Sequence, residues 1–93
     1  MNFENIHNYY EKLVLEHLHD TLIEQQGISD QDLLEDVACV ALNRLPTRYV
    51  RHDVDTAFFT SDEDWQRMEK QVAAAVAAAL DYVRQHGENR GED

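Results

Sequence analysis

Between Asp36 and Asp53 the chain carries no acidic side chain, yet Arg44, Arg48 and Arg51 all fall there, with His52 beside them. Three of the eight Lys and Arg residues therefore sit within eight positions, in a chain whose 19 acids leave a net charge of −11. A guanidinium fork pairs with phosphate or with guanine O6 and N7, and its flat face stacks on a base. A nucleic-acid duplex or an anionic lipid surface would meet the negative charge elsewhere and be repelled, so neither is an expected partner. A small anion can be enclosed locally without meeting that charge. The window from Arg44 to Arg51 thus points to a small anionic ligand. The plainer alternative is that the three arginines pair with acids on other helices.

Other chemistry finds little support. There is no Gly-rich phosphate loop and no nucleophile motif, and Ser29 and Ser61 sit where helix caps belong, so an enzyme is not expected. In Glu16-His17-Leu18-His19-Asp20 the two histidines point about 200° apart on a helix and cannot chelate one ion together. Glu16 and Asp20 share a face, as do His7 and Glu11, but two ligands make a weak site; no metal is expected. The lone Cys39 excludes an internal disulfide. It lies in the apolar run Val37 to Leu42 and is expected to be a small buried hydrophobe rather than a reactive thiol.

Helices must position the arginines. Only three Gly and one Pro occur in 93 residues, which favours long regular elements over a many-stranded sheet. Ile6, Tyr10, Val14, Leu18 and Leu22 recur every fourth residue, widened by Tyr9 and Leu13, and predict a first helix from Glu4 to Gln25, stopped at Gly27. Ser29-Asp30-Gln31-Asp32 reads as a cap for a second helix, buried on most sides, that ends near Arg44 because Pro46 disfavours helix at Leu45. Residues Thr47 to Phe59 read as an extended, irregular loop. Thr60 or Ser61, followed by Asp62, Glu63 and Asp64, starts a third helix. Its face is Trp65, Met68, Val72, Val76, Ala79, Leu80 and Val83, and it closes at His86 and Gly87. The alanine-rich stretch from Ala73 to Ala79 lets another helix approach closely, in the same chain or in a partner.

The expected fold is therefore all-α: one three-helix domain over residues 1–86, an irregular loop before the long C-terminal helix, and a disordered polar tail over 87–93. So short a chain has a modest core, and a homodimer would add buried area. Its start lacks a basic and then apolar leader, its longest apolar run (Val72 to Leu80) is about half a membrane span, and it has one cysteine; the cytoplasm is the expected location.

Two stretches carry a family resemblance. Asp36-Val37-Ala38, then Ala41-Leu42-Asn43-Arg44-Leu45-Pro46-Thr47-Arg48-Tyr49-Val50, resembles the motif of the late-competence ComFB family, roughly D-V-A-x-x-A-L-N-x-L-P-x-x-Y. Upstream, Asn8-Tyr9-Tyr10-Glu11-Lys12-Leu13-Val14 is similar to that family's N-x-x-E-x-L-V pattern. The resemblance implies a small helical protein, often dimeric, and several members of the family are receptors for cyclic di-GMP. Many relatives bind zinc through cysteines just before the D-V-A motif; this chain has Gln26-Gly27-Ile28-Ser29-Asp30-Gln31 there, so zinc is not carried over. It also has Thr47 where many relatives have a second proline.

On that resemblance Arg44, Arg48 and Arg51 would contact phosphate or stack on guanine. Asp36 would accept from the guanine Watson–Crick edge, and Tyr49 would stack. Asn43 is counted with them. Each has an alternative: Arg44 paired with Asp36 or Asp32, Asn43 capping the helix end, Tyr49 in the core. The function implied is a cyclic di-GMP receptor and adaptor that couples the second messenger to a protein partner. The alternative is a ligand-free helical interaction module.

Overall fold

Asn8 decides where the first helix begins. Its backbone is extended (φ −81°, ψ 118°) and its side chain accepts from the Tyr10 N–H, so it is the N-cap of α1, Tyr9–His17. The computed structural model describes residues 3–86. The helix thus starts later than the apolar spacing suggests: Phe3–Asn5 forms a single 3₁₀ turn and His7–Asn8 a two-residue strand, β1. Ile6, which continues the four-residue spacing, lies outside the helix and is exposed. Tyr9, Tyr10, Val14, Leu18 and Leu22 are all buried.

From Leu18 to Gln25 the helix widens into a π-helical segment that carries Leu18 and Leu22 on into the core. It ends with Gln26 N–H bonded to the Thr21 carbonyl (3.1 Å) and Ile28 N–H to that of Leu22 (2.9 Å). Gly27 makes this reversal at φ 69°, a left-handed conformation open to glycine at no steric cost. The Asp30 carboxylate then accepts from the Asp32 and Leu33 N–H groups and starts α2, Gln31–Arg44.

On α2, Leu34, Val37 and Ala41 are buried at helical spacing. Cys39 lies about 200° around the helix from Val37 and is exposed, contrary to the expectation of a buried thiol. A run of six apolar residues on a helix cannot turn all of them to one side. Leu45, extended before Pro46, ends the helix as expected.

The segment after Pro46 is more ordered than its composition suggests. Tyr49–Val50 forms β2, antiparallel to β1, with His7 opposite Val50 and Asn8 opposite Tyr49. Asp53–Phe59 forms α3, with Asp53 and Asp55 in its first turn, where the helix dipole favours negative charge. Only Thr56 of α3 is buried, while Val54, Phe58 and Phe59 face outward. This inverted amphipathicity hides the helix from a search for apolar periodicity.

Helix α4, Asp62–His86, is the spine. Ser61 Oγ accepts from the Asp64 N–H at its start. Met68, Val72, Val76, Ala79, Leu80 and Val83 bury one face, as predicted, and Trp65 is half-buried. The main packing is of α2 on α4, with α1 against both. Tyr10 donates its hydroxyl to Gln71 Oε1 (2.8 Å), and the Tyr9 and Trp65 rings meet at 5.8 Å. Gly87 and the polar tail lie outside the described residues. The architecture is predominantly all-α, four α-helices among the described residues with one two-stranded ribbon. No helix is long and apolar enough to cross a membrane among those residues.

Candidate functional site

The arginine segment is held by its backbone to the start of α1. Asn8 Oδ1 accepts from the Arg48 N–H (2.9 Å) as well as from Tyr10, and the Arg48 carbonyl accepts from the Tyr9 N–H (2.7 Å). One buried side-chain oxygen therefore caps α1 and fixes the backbone of Arg48, joining the two stretches that carry the family resemblance. Asn8 as a hub is not visible in sequence, because its second partner lies forty residues away. A second tether lies beside it: Asp53 takes His7 Nε2 at 2.6 Å and Lys12 Nζ at 3.8 Å. Between these two anchors lie Tyr49, Val50, Arg51 and His52.

The six candidate residues divide into groups. Arg48, Tyr49 and Arg51 share the short segment through β2. Tyr49 is 69% exposed, so it is free to stack and is not core. Arg51 is exposed and Arg48 half-buried, its Nη1 directed at Met68 Sδ at 3.7 Å. Arg44 ends α2, with its guanidinium carbon 5.6 Å from the centre of the Tyr82 ring. That is cation–π distance, and the ring holds the charge without consuming its hydrogen-bond donors. About four turns of α4 separate Met68 from Tyr82, roughly 20 Å at 5.4 Å per turn. The structure thus places Arg44 and Arg48 at different levels along α4. Tyr82 escapes a sequence reading because it lies off the apolar stripe and meets Arg44 only through the fold.

Asn43 and Asp36 lie on α2. Asn43 is exposed, and its Nδ2 donates to the carbonyl of Cys39 (3.0 Å), one turn back. Asp36 is half-buried almost two turns before Asn43, and seven residues bring the two to within about 20° on the helix wheel. Together the exposed groups offer charged N–H donors, an amide and an aromatic face, the chemistry of anion and base recognition.

Elsewhere the surface is of the opposite kind. A groove of about 340 Å³ between the first helix and α4 has Leu13, Val72 and Ala73 on its walls with Glu16, Asp20, Glu69 and His17. Its carboxylates disfavour an anion. Among the described residues no three His, Cys, Asp or Glu side chains are grouped to hold a metal ion.

No curated protein and no solved structure matches the chain. The family described as late competence development protein ComFB matches over residues 7–87, which takes in β1, the Asn8 cap, the arginine segment and all of α4. On that match, which spans nearly all of the sequence, the chain belongs to the ComFB family.

Proposed function

We propose that the chain is a cytoplasmic receptor for cyclic di-GMP that couples the second messenger to a protein partner, and that it acts as a homodimer. The observation that carries this reading is the exposed Arg51 and Tyr49 on a segment whose backbone is pinned at Arg48 by Asn8. A pinned backbone lowers the entropy lost on binding. In an acidic chain a dianion gains selectivity by meeting positive charge in a stretch free of carboxylates. Membership of a family with cyclic di-GMP receptors supports the same choice of ligand. The Arg48-Tyr49-Arg51 segment supplies phosphate contacts and a stacking face, while Arg44, Asn43 and Asp36 stand on α2, with Arg44 at a different level along α4. A dimer is supported by Ala73, Ala74, Ala77 and Ala78, exposed small residues along α4 that permit close helix approach.

Isothermal titration of the purified protein with cyclic di-GMP, with GTP and cyclic AMP as controls, tests the proposal. Selective binding is expected, weakened about ten- to a hundredfold by Arg48→Ala or Arg51→Ala through loss of a charge-assisted contact. No heat at high ligand concentration, or binding indifferent to all three arginines, refutes it. The ligand-free interaction module is the second reading, favoured by the exposed Val54, Phe58 and Phe59 of α3.

A further inference from the structure

We propose that the outer face of α3 docks a cationic amphipathic segment of a partner protein. Val54, Ala57 and Phe58 follow the i, i+3, i+4 spacing of one helix face and are all exposed. Phe59 joins them through an edge-on contact between the two phenylalanine rings at 5.1 Å. Val54, Phe58 and Phe59 are 70%, 80% and 77% exposed. Together they present on the order of 400 Å² of apolar surface, the size of the largest patch on a typical monomer and often a functional one. Within α3, only Thr56 faces inward.

The charge around this face selects its occupant. From His52 to Gln66 there are five acids, Asp53, Asp55, Asp62, Glu63 and Asp64, and no Lys or Arg. Asp53 meets His7 and Lys12, and Asp64 meets Arg67 at 2.8 Å. The exposed Asp55, Asp62 and Glu63 stand at the helix and its exit. An apolar centre with an acidic rim complements a segment whose apolar anchors are flanked by Lys or Arg. A nucleic acid or an anionic membrane is repelled by the same rim. A second copy of α3 would bring the same acids against their like. The face follows the arginine segment directly and is tethered at Asp53 to β1, so this inference supplies the partner side of the adaptor reading and rests on that half of it.

The test uses a fluorescent synthetic helical peptide with Leu and Phe on one face and Lys on the other, and a counterpart with Glu for every Lys. Anisotropy is read on the full chain without nucleotide. The Lys peptide is expected to bind, more weakly at high salt, and the Glu peptide not at all. The double variant Phe58→Ala, Phe59→Ala removes exposed side chains, so circular dichroism should be unchanged while affinity falls about tenfold or more. Asp55→Asn with Asp62→Asn and Glu63→Gln should weaken binding and flatten its salt dependence. Leu15→Ala alters a different exposed apolar residue, beside Glu16, and should change nothing. The proposal is overturned by absence of binding, by equal binding to the phenylalanine variant, or by loss on Leu15→Ala. It is also overturned if the phenylalanine variant turns a dimer into a monomer by sedimentation, since the occupant is then a second copy. Because no nucleotide is present, failure here leaves cyclic di-GMP titration to judge the receptor separately.

Discussion

Replacing Asn8 with alanine removes one oxygen and two hydrogen bonds, to the N–H groups of Tyr10 at 3.2 Å and Arg48 at 2.9 Å. Losing the cap of α1 costs about 1 kcal/mol. Leaving the Arg48 N–H without an acceptor beside a residue only 8% exposed adds about 1–3 kcal/mol. The sum, about 2–4 kcal/mol, is a large fraction of the stability of a domain of this size. At about 4–8 °C per kcal/mol it lowers Tm by roughly 10–30 °C. Asn8→Asp keeps an acceptor at the same place and puts a negative charge at a helix start, so it should lose less than about 1 kcal/mol. Urea unfolding followed by circular dichroism measures both variants. Hydrogen exchange of the Arg48 amide, read by NMR, isolates the second bond: it should speed up in Asn8→Ala and stay protected in Asn8→Asp. Equal destabilisation by the two substitutions, or an Arg48 amide as protected in the alanine variant as in the wild type, would refute the assignment of Asn8 as a two-way anchor.

Other outcomes follow from single contacts. Tyr10→Phe removes the donor to Gln71 and should cost about 1 kcal/mol in urea unfolding, with Gln71→Ala no worse when added to it. Cys39 should react with a thiol reagent in the folded protein without denaturant, and Cys39→Ser should leave stability within about 0.5 kcal/mol. Leu22→Ala empties a core position only 2% exposed and should cost about 2–5 kcal/mol by the same unfolding assay. If α4 forms the dimer contact, Ala74→Glu with Ala78→Glu should give a folded monomer in analytical ultracentrifugation, whereas an unchanged mass would place the contact elsewhere.

What the sequence reveals depends on how far each residue's partners lie along the chain. Tyr10, Val14, Leu18 and Leu22 are legible because helical spacing is a local property, and so is Ser61 as a cap, whereas the cap of α2 falls on Asp30, one residue after the expected Ser29. Pro46 marks the end of α2 by local sterics. Ile6 misleads, since it keeps the apolar spacing outside the helix, whose start at Tyr9 is set by the Asn8 cap and reinforced by the bond of Asn8 to Arg48. Helix α3 is hidden because it turns Thr56 inward and its valine and phenylalanines outward, the reverse of the pattern sought. Cys39 is misread from composition, although the 100° step per residue already places it opposite Val37. The arginine window is readable from charge alone. That Arg44 settles on Tyr82 and Arg48 on Met68 is a product of tertiary packing, which no local pattern encodes.

The first helix has its own place in the order of synthesis. Its anchors at Arg48, Asp53 and Gln71 lie 40, 46 and 61 positions downstream. A chain leaving the ribosome therefore has α1 in hand long before the hydrogen-bond partners that tie its start. Its buried face, Tyr10, Val14, Leu18 and Leu22, has only α2 to pack against until α4 emerges. Nascent chains halted before Asp62 should be more open to protease across Tyr9 to Gln25 than the finished chain, and the Arg48 side chain should meet Met68 only once the last helix has closed over the first.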